Sequence, residues 1–150
     1  MTQHTASAEE TYAYGARLAS CLRPGDVVVL TGNLGAGKTA LVRGIASGMD
    51  VKSQVSSPTF TLLHLHQPGQ AGGVALHHFD VYRLDGPDDF IANGLDEYLG
   101  GESIALIEWG DRVRQALPDR VIEIDLRYGE GADDRTIRVS FPGDEDRCGI

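Results

Sequence analysis

Apolar positions along this chain follow two alternating rhythms, one helical and one extended. Ser7-Ala8-Glu9-Glu10 has the form of a capping box, and Tyr14, Leu18, Cys21 and Leu22 follow at helical spacing until Pro24-Gly25-Asp26 stops the run. Val27 to Leu30 is a short β-branched stretch that predicts a buried strand. Thr39 to Ala46 predicts a helix with Leu41, Val42 and Ile45 on one side, ending near Gly48. Thr59 to His66 and Val74 to Arg83 alternate like paired strands around the Pro68-to-Gly73 turn. A short helix is predicted from Pro87 to Asn93 and another helical turn from Asp96 to Leu99. Ile104 to Trp109 is an apolar strand, and Asp111 to Leu117 a short helix stopped by Pro118. Val121 to Tyr128 and Thr136 to Phe141 are strands joined through the Gly129-to-Asp134 turn. The pattern predicts an α/β fold: one domain over residues 1–142, a mixed sheet flanked by helices, then a flexible tail at 143–150.

The segment between the first predicted core strand and its helix changes the picture most. Gly32-Asn33-Leu34-Gly35-Ala36-Gly37-Lys38-Thr39 satisfies G-x-x-x-x-G-K-[ST] at every fixed position. Gly35 and Gly37 leave room for backbone N–H groups to curl round phosphates, and allow a left-handed backbone. The helix beginning near Lys38 aims its positive end at the same point. Lys38 would hold the outer phosphates and Thr39 a Mg²⁺ ion. Strand, glycine-rich loop and helix in this order predict a P-loop NTPase-like α/β fold with a nucleotide site at the carboxyl ends of the parallel strands.

Composition adds bounds. The 150 residues carry a formal net charge of -9, which argues against a broad nucleic-acid-binding face. Cys21 and Cys148 are the only cysteines and lie far apart in sequence, which suggests free thiols in a reducing compartment. No apolar run approaches membrane-spanning length, so a cytosolic protein is expected.

Hydrolysis needs a further metal anchor and a group that positions water. Ile104-Ala105-Leu106-Ile107-Glu108 delivers a carboxylate at the end of an apolar strand, a Walker B arrangement with Glu108 as the acid. In His78-Phe79-Asp80-Val81-Tyr82, strand alternation sets His78, Asp80 and Tyr82 on one face. Asp80 could there orient a water, or the face could simply be solvated. Ser57-Pro58-Thr59 could sense a terminal phosphate or be only a loop. Trp109, the sole tryptophan, belongs either to the core or to the rim of the pocket. His64, His66, His77 and His78 lack the spacing of a zinc motif.

Taken together these segments resemble the TsaE (YjeE) family, bacterial ATPases of tRNA threonylcarbamoyladenosine modification. The likeness rests on TGNLGAGKT (Thr31 to Thr39), SPTFT (Ser57 to Thr61), HFDVYRL (His78 to Leu84), GLDEY (Gly94 to Tyr98) and IEWGDR (Ile107 to Arg112). The resemblance implies ATP held by Asn33, Leu34, Gly35, Ala36, Gly37, Lys38, Thr39 and Ala40, with Ser57 and Thr59 as a switch-like element and Trp109 nearby. It implies Mg²⁺ on Thr39 and Glu108, and Asp80 as the residue needed for hydrolysis. It also implies two partner proteins, TsaB and TsaD, with tRNA engaged only indirectly. Asn33 stands where the family usually has Asp, and Ala40 where a second Thr is common. A stand-alone small-molecule or nucleoside kinase is the alternative, although no basic lid follows Leu84. A GTPase would need N-K-x-D, and Asn93-Gly94-Leu95-Asp96 lacks the lysine. A module that binds nucleotide without hydrolysing it is the remaining option.

Overall fold

Four parallel strands form the centre of the sheet in a computed structural model that describes residues 1–33, 37–52, 62–144 and 147–148. The strands are β1 (Thr2–Thr5), β2 (Val27–Gly32), β3 (Leu63–His66), β4 (Leu76–Asp80), β5 (Ile104–Glu108), β6 (Ile122–Tyr128) and β7 (Arg135–Ser140). Their order across the sheet is β1-β7-β6-β2-β5-β4-β3. β6, β2, β5 and β4 run parallel, while β1, β7 and β3 pair antiparallel at the two edges. β5, in the middle of this group, is covered on both faces, so it reads Ile-Ala-Leu-Ile-Glu and is buried throughout.

Alternation along the strands divides the core in two. Val28, Leu30, Leu106, Ile124 and Leu126 pack against α1 (Ala8–Ala19) and α2 (Lys38–Met49). Val27, Val29, Phe79, Ala105 and Ile107 point the other way. They meet Phe90 of α3 (Pro87–Ala92), Leu95 and Val113. Phe79 and Phe90 are fully buried, with ring centroids 5.9 Å apart. On this second face β6 and β7 are not covered by a helix. Their Glu123, Asp125, Arg127 and Arg138 line a polar groove of about 430 Å³.

Helix α1 begins as its sequence predicts. Ser7 Oγ accepts from Glu10 N at 3.1 Å, and the Glu10 carboxylate accepts from Ala6 N at 2.6 Å. α1 and α2 cross with their backbones touching. A Cβ on Gly44 would lie 2.1 Å from Tyr12 O, and one on Gly15 would lie 2.5 Å from Leu41 O. Only glycine permits this approach, which fixes the phosphate-loop helix on α1.

Several elements differ from the sequence expectation. β1 was not predicted; it gains its ladder from β7 rather than from any pattern of its own. The second predicted strand narrows to Leu76–Asp80, and the expected helix after Trp109 is a run of 3₁₀ turns over Gly110–Ala116. The hairpins β3–β4 and β6–β7 are antiparallel as expected. The free-thiol expectation is corrected, because Cys21 and Cys148 form a disulfide. Chain folding brings the end of α1 and the C-terminal stretch together across 127 residues, which sequence distance conceals. Arg147 beside it pairs with Asp26 at 2.7 Å, so the stretch read as a loose tail has two attachments to the body. Among the described residues no helix is long and apolar enough to cross a membrane.

Candidate nucleotide site

The carboxyl ends of β2, β5 and β4 converge below the first turn of α2. Leu30 pairs with Glu108, and Glu108 with Asp80, so the two acids stand side by side on adjacent parallel strands. Trp109 N donates to Leu30 O at 2.9 Å and Val81 N to Glu108 O at 3.2 Å, which holds these strand ends in line. The phosphate-loop motif leaves β2 at Gly32. Asn33 Oδ1 accepts from Tyr128 N at 3.1 Å and Asn33 N donates to Leu126 O at 3.1 Å, so Asn33 anchors the start of the loop to β6. A neutral amide oxygen does this as well as a carboxylate would.

Gly37 caps α2 in the left-handed region at φ 92°, a conformation that favours glycine. α2 has no side-chain cap and no acid in its first turn, in contrast to the Ser7-capped α1. The N–H groups opening α2 are thus left for an anion. Lys38 is 7% exposed and its Nζ has no hydrogen-bond partner among the described residues. It rests over the Trp109 ring, 3.5 Å from the centroid. Burial pushes the Lys38 ammonium below the ordinary lysine value, against the pull of Glu108 and Asp80. A buried cation facing an aromatic ring and an uncapped helix start fit a polyphosphate. Thr39 and Ala40 follow on the first turn, both half-buried. Leu34, Gly35, Ala36, Ser57 and Thr59 lie outside the described residues.

The acids differ in environment. Glu108 is 5% exposed, and His78 Nε2 lies 2.6 Å from its Oε2. Asp80 is half-buried and accepts from Tyr82 N at 3.0 Å. Burial lifts Asp80 above the ordinary carboxylate range; the Tyr82 hydrogen bond opposes this and the Glu108 charge adds to it. The polar face expected from His78 and Asp80 is not a solvated one, since His78 is only 1% exposed. Tyr82 lies beyond the end of β4, 45% exposed, and packs on Trp109 with centroids 4.9 Å apart and ring planes tilted by 55°. Arg112 covers the other aromatic, 5.0 Å from the Tyr82 centroid. Arg112, Tyr82, Trp109 and Lys38 therefore form a continuous stack from surface to phosphate loop. Trp109 holds its place at φ 64°, which is unusual for a bulky residue. Strand alternation indicated His78 and Asp80; nothing in the sequence signals the stack, because its members meet only through the fold.

Beside Gly37 lies a cavity of about 750 Å³, lined by His4, Thr5, Tyr128, Arg135 and Thr136 among others. The Arg135 guanidinium lies over the Tyr128 ring at 5.0 Å. These wall residues were not found from sequence, because β1 contributes two of them. Among the described residues no cluster of three or more His, Cys, Asp or Glu side chains could hold a metal.

A mixed sheet whose parallel centre carries strand, G-x-x-x-x-G-K-T segment and helix defines a P-loop-like α/β protein. The crystal structure of Bacillus subtilis YdiB has this fold, with a TM-score of 0.77 and 33% identity over 95% of this chain and 86% of that one. The family model described as threonylcarbamoyl adenosine biosynthesis protein TsaE matches residues 5–137, and the chain belongs to that family. The Treponema pallidum protein named tRNA threonylcarbamoyladenosine biosynthesis protein TsaE is 42% identical over 81% of this chain and 87% of its own length. Its Bacillus subtilis namesake is 37% identical over 93% and 84%. The Mycobacterium tuberculosis protein of the same name is 40% identical over 89% and 82%.

Proposed function

We propose that this chain binds and hydrolyses ATP in the threonylcarbamoyladenosine modification of tRNA, in the cytoplasm, as the nucleotide-driven partner of TsaB and TsaD homologues. The observation that carries the reading is the juxtaposition of Asp80 and Glu108 at paired strand ends beneath the uncapped start of α2, with Lys38 buried beside them. The α2 N–H groups and Lys38 would bind the phosphates, and the Tyr128–Arg135 cavity would receive the base. Thr39 and Glu108 would hold Mg²⁺, which when bound neutralises charge on the outer phosphates. Asp80, raised by burial, is suited to orient a water and accept its proton.

Phosphate release from ATP should be slow for the isolated protein and rise in the presence of TsaB and TsaD homologues. Few described groups here can stabilise charge developing in phosphoryl transfer, so a partner must complete the site. Asp80→Asn should retain ATP affinity and lose turnover. Equal turnover alone and in the complex would refute the partner dependence, and unchanged turnover in Asp80→Asn would refute its role.

A further inference from the structure

His78 sits at the middle of β4, 1% exposed, inside the sheet rather than at its edge. An imidazole in that position costs more than an apolar side chain unless it is used. Its Nε2 lies 2.6 Å from Glu108 Oε2, while its buried Nδ1 has no hydrogen-bond partner among the described residues. The proton must therefore be on Nε2. On Nδ1 it would leave a buried donor unmet and set two lone pairs against each other at 2.6 Å. Among the described residues this is the one hydrogen bond given to the Glu108 carboxylate. It takes one oxygen and leaves the other unengaged. The His66 ring neighbours it, 6.5 Å away between centroids and tilted by 31°.

We infer that His78 is the positioning residue for Glu108: its Nε2–H ties one carboxylate oxygen so that the other is presented as a magnesium ligand. This rests on the reading of Glu108 given above. A glutamate ending a strand has several side-chain torsions and would otherwise choose among rotamers, including one that reaches for Lys38. A partner that fixes a ligating side chain is commonly worth 10- to 100-fold in metal affinity. His78 touches neither phosphate nor the reacting water and takes no part in the chemistry.

The test uses the full chain and a non-hydrolysable ATP analogue, titrated by calorimetry at a series of Mg²⁺ concentrations and in EDTA. His78→Leu removes the donor. His78→Gln restores an N–H the same number of bonds from Cα as Nε2. His78→Asn supplies an amide one bond too short, and carries the comparison if His78→Leu does not fold. Expected for His78→Leu, or for His78→Asn, is an Mg²⁺ half-saturation about 10-fold higher, with analogue affinity in EDTA unchanged. His78→Gln should stay close to the wild type. The inference is overturned if the donor-less variant keeps the wild-type Mg²⁺ dependence, if it loses as much affinity in EDTA as in Mg²⁺, or if folded His78→Gln behaves like His78→Leu. If the wild type itself binds the analogue with no Mg²⁺ dependence, the reading of Glu108 fails first and the inference falls with it.

Discussion

The Asp80 carboxyl stands in an environment that disfavours its charged form. Burial and the neighbouring Glu108 lift its carboxyl above the ordinary value, so charging it costs more in the folded protein than in the unfolded chain. Stability is therefore lost as pH rises from the ordinary aspartate value of 3.8 through the raised folded value, and stays lost above it. Asn at this position avoids the charge and can still accept from Tyr82 N. Asp80→Asn should melt higher than the wild type at pH 8, with the gap closing below about pH 4. Equal melting temperatures across that range would refute the argument. The same residue shows what a sequence discloses at this scale. Alternation in His78-Phe79-Asp80 set the acid on one face, and the run Ile104 to Glu108 ended in the other. It could not disclose that the two strands are neighbours in register, that His78 is spent on Glu108, or that Tyr82 backs Trp109.

At the level of elements, the phosphate-loop helix is located by what lies behind it. α2 touches α1 through Gly15 and Gly44 with no side chain between the backbones. Gly44→Val would set its Cβ against Tyr12 O, 2.1 Å away, so the helices must separate. Overpacking of this kind costs about 1–3 kcal/mol. A urea midpoint lowered accordingly at unchanged slope is the expected result, and a midpoint matching the wild type would disprove the contact. The helices and central strands were legible because their periodicities are strong and their caps explicit, as at Ser7 and Pro87. β1 was not, since Thr2-Gln3-His4-Thr5 is polar and takes strand form only because β7 offers an edge. The 3₁₀ run after Trp109 was misread as a helix because its apolar spacing is the same over one turn.

Across the whole molecule, closure depends on the two ends of the chain. β1 caps one sheet edge, while Arg147 and Cys148 fasten the C-terminal stretch to Asp26 and Cys21. A cross-link spanning so long a loop is typically worth about 2–4 kcal/mol. Cys148→Ser should lower the unfolding free energy from urea titration by about that much under oxidising conditions, and a reductant should bring the wild type down to the same value. A wild type indifferent to reductant would refute this contribution. The net charge of -9 disfavours a broad phosphate-binding face on this chain. A single tryptophan serves all 150 residues, and it is the one lying against the Lys38 ammonium. The molecule thus contains its own optical reporter. A phosphate that drew Lys38 off the ring would take the cationic neighbour from the indole, and titrating ATP should then change the ultraviolet emission with no added dye and no competing chromophore of its kind.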